Sequence, residues 1–284
     1  GYGVGSFHHN LLAQCEGRNW SLSGGLDGSG YYDGAHDVFN NVVYNWGKRA
    51  TDGGTHELNF VNNYYKMGPA TTQTFLLRHQ FEGTGKGSQA AYVSGNVRVT
   101  ANGAMTQDAE GVTYKYELSG GQQLTWKPWN DKSFFESLAV IESAEAAYRN
   151  VLSDVGCNLP LLNAHDRRMV TETYNGTTST VGSKTGKRGL IDREWDAEGY
   201  VAIEEIARPA DFDTDKDGMP DWWERLNGLD PNVPDNNTDA NGDGYTALED
   251  YLNWMALPHF EIPLGKSVEI DLMPYFAGYP SSTS

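Results

Sequence analysis

Two stretches late in the chain place carboxylates at alternate positions, the spacing that gathers hard oxygen donors around one cation. Asp213-Thr214-Asp215-Lys216-Asp217-Gly218-Met219-Pro220-Asp221 runs on to Glu224 and fills positions 1, 3, 5, 6, 9 and 12 of a twelve-residue calcium loop. Ca²⁺ takes about six to eight oxygens. Here they would come from Asp213, Asp215, Asp217 and Asp221, the Met219 carbonyl and a bidentate Glu224, with Gly218 permitting the sharp turn. A second loop, Asp239, Asn241, Asp243, Gly244, Tyr245 and Asp250, starts 26 residues on and is weaker because its ninth position is Ala247. Short helices are predicted after each loop, over Trp222 to Leu229 and Ala247 to Met255. An acidic linker without metal is the alternative, and two correctly spaced loops argue against it.

Other residues could also do chemistry. His8 and His9 could move protons, but alternation along a strand turns one of two adjacent side chains inward, which favours a structural pair. Asp27, Asp33, Asp37 and Asp52 could supply the two carboxylates that hydrolysis of a glycosidic bond requires, although no hydrolase motif accompanies them. Lys48, Arg49 and Lys66 stand at predicted strand ends and could bind carboxylates; singly, each also reads as a solvated charge.

The elements that would position these groups are written in a repeat. One or two polar residues, an Asn and an apolar pair recur as His9-Asn10-Leu11-Leu12, Asn40-Asn41-Val42-Val43, Asn62-Asn63-Tyr64-Tyr65 and, more weakly, Gly95-Asn96-Val97-Arg98-Val99. Asn10, Asn41, Asn63 and Asn96 are spaced by 31, 22 and 33 residues, the length of one solenoid coil. A coil cannot bury its apolar face alone and must stack on a neighbour. A corner Asn can donate to the next coil and accept from the previous one, satisfying turn groups that burial would leave unpaired. The short β-branched and aromatic runs favour strands. The fold class expected is all-β, a right-handed parallel β-helix with covering C-terminal helices and a small EF-hand-like calcium-loop module.

Beyond the coils, residues 112–118 alternate as a strand. Apolar residues from Phe134 to Leu152 recur at helical spacing over Ser133 to Val155, with Gly156 at the C-cap. A second helix is predicted over Ala164 to Tyr174, both helices covering apolar surface, and a loop over 176–190. The domains expected are β-helix coils over 1–130, a helical and loop extension over 131–206, paired calcium loops over 207–256, and the start of a strand-rich module or tail over 257–284. Neither the opening nor the close reads as a natural terminus, so a preceding segment of the same protein is expected.

The run His8-His9-Asn10-Leu11-Leu12, then Arg18-Asn19, then Phe39-Asn40-Asn41-Val42-Val43-Tyr44-Asn45-Trp46-Gly47 resembles the C-terminal half of the pectate lyase catalytic domain, polysaccharide lyase family 1. Phe60 to Lys66 with Gly68-Pro69, and Val155 to Pro160 with Asp166 and Arg167, continue the resemblance over roughly residues 1 to 200. It implies calcium-assisted β-elimination on a uronate polymer, with Arg18 in the place of the arginine that acts at C5. A guanidinium is almost always protonated, so the physical expectation is that Arg18 meets the uronate carboxylate beside C5. The family pattern Arg-x-Pro-x-x-Arg is broken here: Trp20 replaces the proline and Ser23 the second arginine. Trp20 would stack on a sugar ring or pack in its loop. Lys48, Arg49 and Lys66 would bind substrate carboxylates. The family's catalytic calcium ligands lie upstream of the HHN run, so the loops at Asp213 and Asp239 would be separate, structural sites. These loops resemble a dockerin-like or thrombospondin type 3 calcium module.

Composition sets bounds. The 284 residues carry a net charge of -17 and a mean hydropathy of -0.57, which argues against a nucleic-acid partner, and no apolar run approaches the roughly 18 residues of a membrane span. The expected protein is secreted and acts on an acidic plant polysaccharide such as polygalacturonate or rhamnogalacturonan, with Ca²⁺ as cofactor. Its acidity conflicts with an acidic substrate unless the carboxylates, many of them late in the chain, are calcium ligands. A non-catalytic glycan-binding β-helix bearing a cohesin-binding dockerin and a β-helical polygalacturonase are the alternatives. Cys15 and Cys157 are expected as small buried thiols, with a disulfide between them left open.

Overall fold

In a computed structural model the described residues are 4–22, 25–81, 84–118, 123–157, 162–202, 207–257, 265–267 and 269. Those up to Tyr200 form one compact unit and those from Val201 another.

The first unit is wound from three parallel sheets. One contains β1 (Val4–His8), β6 (Ala35–Phe39), β9 (Glu57–Val61) and β12 (Ala90–Ser94). The next contains β2 (Leu11–Ala13), β7 (Val42–Tyr44), β10 (Tyr64–Lys66) and β13 (Val97–Val99), with β14 (Met105–Gln107) antiparallel at its edge. The third contains β3 (Trp20–Leu22), β8 (Thr51–Gly53), β11 (Leu77–Phe81) and β15 (Tyr114–Leu118). β4 (Gly25–Leu26) and β5 (Tyr32–Asp33) make a short antiparallel ribbon in one connection. Each turn of chain thus adds one strand to each sheet, the arrangement of a parallel β-helix. Register carries the repeat: Leu12, Val43 and Tyr65 align, as do Phe7, Val38, Phe60 and Val93.

The corner between the first two sheets holds the repeat's asparagines. The amide of Asn10 donates to Asn41 Oδ1 (2.9 Å), that of Asn41 to Asn63 Oδ1 (3.0 Å) and that of Asn63 to Asn96 Oδ1 (2.8 Å). The backbone N–H of each donates to the same oxygen. The last acceptor is Asp108, which takes the Asn96 N–H at 2.9 Å. The residue before each asparagine, His9, Asn40, Asn62 or Gly95, is left-handed, with φ between 49° and 71°. Asn and Gly tolerate that region best, which explains the polar residue ahead of each ladder asparagine.

Both members of the apolar pair are covered. Val43 and Tyr65 lie in the core with Trp46, Leu58 and Phe60. Val42, Tyr64 and Val97 point to the outside and pack under α1 (Ala144–Asp154) through Ala144 and Val151. Tyr148 of α1 stacks on Tyr64 at 4.2 Å. Ser143 caps α1, accepting from Ala146 N. α2 (Ala164–Asn175) is capped by Asn163 and stopped by left-handed Gly176.

The first helix is shorter than its periodicity predicts. Residues 133–143 are not helical because their backbone pairs with outward asparagines. Asn59 Oδ1 accepts from Phe134 N (3.0 Å), Asn40 Oδ1 accepts from Glu142 N (2.9 Å), and Asn62 donates to Glu142 O (2.7 Å). Leu138, on the predicted apolar stripe, is 99% exposed. The alternating strand begins at Tyr114, since Val112 and Thr113 close a turn onto Ala109 O. Cys15 and Cys157 are exposed, contrary to the buried thiols expected, and no disulfide joins them. Ser23 and Asn158 to Pro160 lie outside the described residues, as does most of the strand-rich module expected over 257–284.

In the second unit, α3 (Asp221–Asn227) and α4 (Ala247–Ala256) each follow an acidic loop. Met219, Trp223, Ala247 and Tyr251 form its core.

Two outcomes follow from the ladder. Asn63 is fully buried, so Asn63→Ala strands the Val38 carbonyl and the Asn41 donors. At about 1–3 kcal/mol per orphaned buried group, a loss of at least about 3 kcal/mol is expected in denaturant titration, or failure to fold. Burial raises Asp108 from 3.8 to about 6, against the N–H donors of Asn96 and Gly95 that lower it. The folded state therefore holds this proton more tightly than the unfolded chain, and the residue weakens the fold as pH rises through that window. Asp108→Asn keeps the acceptor and removes the charge, so its melting temperature should match the wild type's near pH 3.5 and exceed it at pH 7. A difference that does not change with pH would contradict this reading.

Candidate functional site

Arg18 lies in the connection between β2 and β3, stacked on the equivalent connection of the next coil. Gln14 N donates to Tyr44 O, Gly47 N to Cys15 O and Lys48 N to Glu16 O, at 2.8–3.0 Å. Gly47 is required by closeness, since a Cβ there would stand 2.6 Å from the Glu16 backbone and carboxylate oxygens. On either side of Arg18 the chain is held to Arg49: Gly17 packs on the Arg49 side chain, and buried Asn19 donates to Arg49 O at 3.0 Å. Arg18 itself is exposed and left-handed, φ 55°. Its side chain has no hydrogen bond or ion pair among the described residues.

Other cations gather near it. Lys187 Nζ sits 2.7 Å from both oxygens of Glu16, and Lys48, 71% exposed, lies 3.6 Å from the same carboxylate. One acid thus faces two lysines, a local excess of positive charge. Exposed Arg188 is next in sequence; its carbonyl accepts from Asn45 at 3.0 Å and its charge acts on Tyr44. Arg49 is turned to Asp52 on β8. Arg78 of β11 grips Asp52 through two contacts of 2.7 Å. Ser21, Asp52, Arg78 and Lys115 occupy one register row of the third sheet, and the adjoining row of Trp20, Leu77 and Tyr114 packs on the core.

The structure therefore brings together Arg18, Lys48 and Arg49 and separates two other candidates. Trp20 begins β3 and packs partly buried on the core: its ring meets Phe7 at 5.5 Å and its indole nitrogen is buried without a partner among the described residues. Lys66 lies on the outer face of the second sheet near the helices. Its Nζ donates to Tyr174 O (2.6 Å) and Tyr148 Oη (3.1 Å), and burial lowers its pKa to about 8. Lys187, Arg188 and Arg78 were not expected. Lys187 and Arg188 lie in a loop rich in Gly, Thr, Ser and Lys, whose sequence carries no signal of where it folds back.

The histidines and the early aspartates have structural partners. His8 and His9 face each other through Nδ1 at 2.8 Å, His9 Nε2 meets Glu142 at 3.0 Å, and His8 stacks on Phe39. Desolvation, then His9, lowers the His8 pKa. Asp27 orders its own turn, Asp33 accepts from Gly34 N, buried Asp37 is 3.5 Å from Ser6 Oγ, and Asp52 is held by two guanidinium groups.

In the second unit the two acidic loops share one hydrogen-bond pattern. Asp213 accepts from the N–H groups of Asp217 and Gly218, Asp215 from Asp217, and Asp217 from Met219. Asp239, Asn241 and Asp243 repeat this with Asp243, Gly244 and Tyr245. Asp250 accepts from Asn241 at 3.2 Å, while Glu249 closes the capping box of α4 with Thr246. Oxygens converge in the first loop as two overlapping triads, Asp213-Asp215-Asp217 and Asp217-Glu224-Asp235. Asp221 stands apart: its carboxylate takes Thr214 N (2.8 Å), Thr214 Oγ1 (2.9 Å) and Arg225 (2.9 Å). Burial, with Asp215, Asp217, Asp235 and Asp221 nearby, raises Glu224 to about 7. Its carboxylate is fully buried with neither oxygen bonded. An all-oxygen, electron-rich pocket with unpaired carboxylates fits a hard divalent cation. Among the described residues no such cluster stands beside Arg18.

No family model matches the chain. It is similar to proteins named probable pectate lyase C. That of Aspergillus flavus is 28% identical over 232 residues, 78% of this chain and 48% of that protein. The Aspergillus fumigatus protein is 27% identical over 231 residues with the same coverage, and that of Emericella nidulans 27% over 227 residues, 78% of this chain and 47% of its own length. The chain spans about half the length of these relatives.

Proposed function

We propose that this chain is the C-terminal part of the catalytic β-helix of an exported lyase that cleaves pectin-type uronate polymers by β-elimination, followed by a calcium-loop module of dockerin or thrombospondin type 3 character. The four segments read from the sequence belong to this proposal. So does right-handed winding, which parallel strands joined by a crossover favour. Similarity to the probable pectate lyases supports the reading. The observation that carries it is Arg18, an exposed, unpaired arginine in a left-handed conformation fixed on both sides. Its freedom from protein partners leaves the guanidinium open to a ligand, in a backbone conformation that a bulky residue rarely adopts.

In such a reaction the C5 proton leaves to a base, the C4–O bond breaks with its electrons going to the leaving oxygen, and a C4=C5 double bond forms. Charge builds on the C6 carboxylate as the proton departs. Arg18 meets that carboxylate and stabilises the developing charge, a guanidinium being suited to a planar, two-oxygen group. Lys48, Lys187 and Arg188 receive neighbouring uronates, the lysines exchanging Glu16 for substrate. Bound calcium would supply further neutralisation of the uronate carboxylate. No described residue beside Arg18 builds such a site. The second arginine of the family pattern, replaced by Ser23, is offset by Lys187 and Arg188.

No described helix is long and apolar enough to cross a membrane.

The full-length protein, given polygalacturonate and rhamnogalacturonan with Ca²⁺ or chelator, should release product absorbing in the ultraviolet. Arg18→Ala should cut this by about 10²-fold or more, the scale of losing one charge-stabilising donor, with an unchanged melting temperature. Lys187→Ala should raise KM more than it lowers kcat. No absorbance on any uronate polymer would overturn the lyase reading in favour of a glycan-binding β-helix; new reducing ends without unsaturation would indicate a hydrolase.

A further inference from the structure

We propose that the first acidic loop binds a single divalent cation of the calcium class, and that Asp235, lying outside the twelve-residue loop, closes the site in the place the linear motif gives to Asp221. The observations are independent of the lyase reading and lie wholly within the second unit. Glu224 is fully buried and both its carboxylate oxygens lack a partner. It shares its pocket with oxygens of Asp217 and Asp235. Asp215 Oδ2 and Asp235 Oδ1 are likewise buried and unpartnered. Carboxylates gathered out of water with nothing opposite them need a counter-charge. Asp213, Asp215, Asp217, a bidentate Glu224, Asp235 and the Met219 carbonyl reach the number of oxygens that Ca²⁺ takes.

Asp221 is excluded by its partners. Asp217 receives only neutral N–H groups, whereas Asp221 is bound by the Arg225 guanidinium, which would repel a cation. Asp221 ties the loop entrance to the start of α3. Asp235 is delivered from a different direction. The backbone N–H groups of Asp235 and Asn236 donate to Asp217 Oδ2 at 3.2 and 3.0 Å, and the Asn236 side chain donates to Asp217 O at 2.9 Å. These bonds seat Asp235 through its backbone, so changing its carboxylate leaves the scaffold in place.

The arrangement gives the cation a mechanical role. Asn236 O accepts from Leu248 N at 3.0 Å and Thr238 O from Ala247 N at 2.8 Å, so the segment that carries Asp235 also holds the first turn of α4. One ion gripping Asp217, Glu224 and Asp235 fastens the first loop, α3 and residues 228–238 to the entry of the second loop. Filling the first site therefore orders the connector on which the second loop depends.

The test is calcium titration of the full chain by calorimetry after chelation, with Mg²⁺ for comparison, and limited proteolysis across residues 228–240. Asp235→Asn should weaken the tighter calcium site about tenfold or more, as removal of one charged ligand does. It should also abolish calcium protection of the connector, yet raise the melting temperature in chelator because one uncompensated buried charge has gone. That opposite sign is what a merely structural aspartate would not give. Asp221→Asn keeps an acceptor for Thr214 N and should change calcium affinity less than about threefold. Equal weakening by both variants, an unchanged Asp235→Asn, or no calcium binding at millimolar concentration would overturn the proposal.

Discussion

The structure of the first unit depends on one repeated interaction, an asparagine amide that gives to the coil after it and receives from the coil before. A solenoid corner buries backbone groups that no strand partner reaches. Asn63 resolves this alone: it donates to Val38 O and Asn96, and accepts from the side chain and backbone of Asn41. Because each asparagine fixes the corner of its neighbour, coil register is set by the ladder as well as by the strands. The left-handed residue in front of each ladder position is the backbone consequence. Asn40 and Asn62 hold that conformation while their side chains bind Glu142 outside. Two successive asparagines thus face opposite ways and do different work.

From a fixed corner, the placement of charge follows. Strands of one register align the connections that leave them, so Glu16 meets Lys48 of the next coil and Asn19 meets Arg49. The cationic ground around Arg18 is therefore a product of coil stacking plus one loop, 182–190, folded onto it. Under the proposed function it would also ease the conflict between an acidic protein and an acidic polymer. Residues 211–250 contain twelve carboxylates and two cations, so they hold -10 of the net -17. Net charge describes solubility and long-range steering, whereas a ligand beside Arg18 would sense the few groups within a Debye length of it.

The fold was legible because its determinant is local and periodic. Asn10, Asn41, Asn63 and Asn96 could be picked out by type and spacing, and the apolar pair after each reads as strand. The covering helix was legible only from Ala144 onward. Phe134, Leu138 and Ile141 continue the same period, yet Asn40 and Asn59 take the backbone hydrogen bonds that a helix there would need. Periodicity cannot report such a competitor, since it lies about 75 to 100 residues away in sequence. The site was legible in part for the same reason. Arg18, Lys48 and Arg49 sit at repeating corners, whereas Lys187 and Arg188 reach them from a loop without a period. Trp20 and Lys66 have residue types suited to sugar and carboxylate, and burial gave both to packing instead.

Asp52 and Glu224 show two opposite ways of holding a buried carboxylate. Asp52, almost wholly inaccessible, is held by Arg49 and Arg78, so its charge is cancelled inside the protein and it is spent as structure. Arg78 in turn spans to Glu117, which Lys115 also holds, so the ion pairs continue from Asp52 to β15. Among the described residues no cation pairs with Glu224; Arg225, its neighbour in sequence, is turned to Asp221. A chain that pairs Asp52 twice over and leaves Glu224 unpaired beside Asp217 and Asp235 has not run short of basic side chains. The Arg225 guanidinium is held by Asp221, and the oxygens of Asp217, Glu224 and Asp235 face one another. Breaking a buried pair by removing its cation is strongly destabilising, so an arrangement built without one places its compensating charge outside the covalent chain. The twelve-residue motif shows which residues could be ligands. The pairing of Asp221 with Arg225, and the backbone seating of Asp235, show which carboxylate oxygens are left to do so.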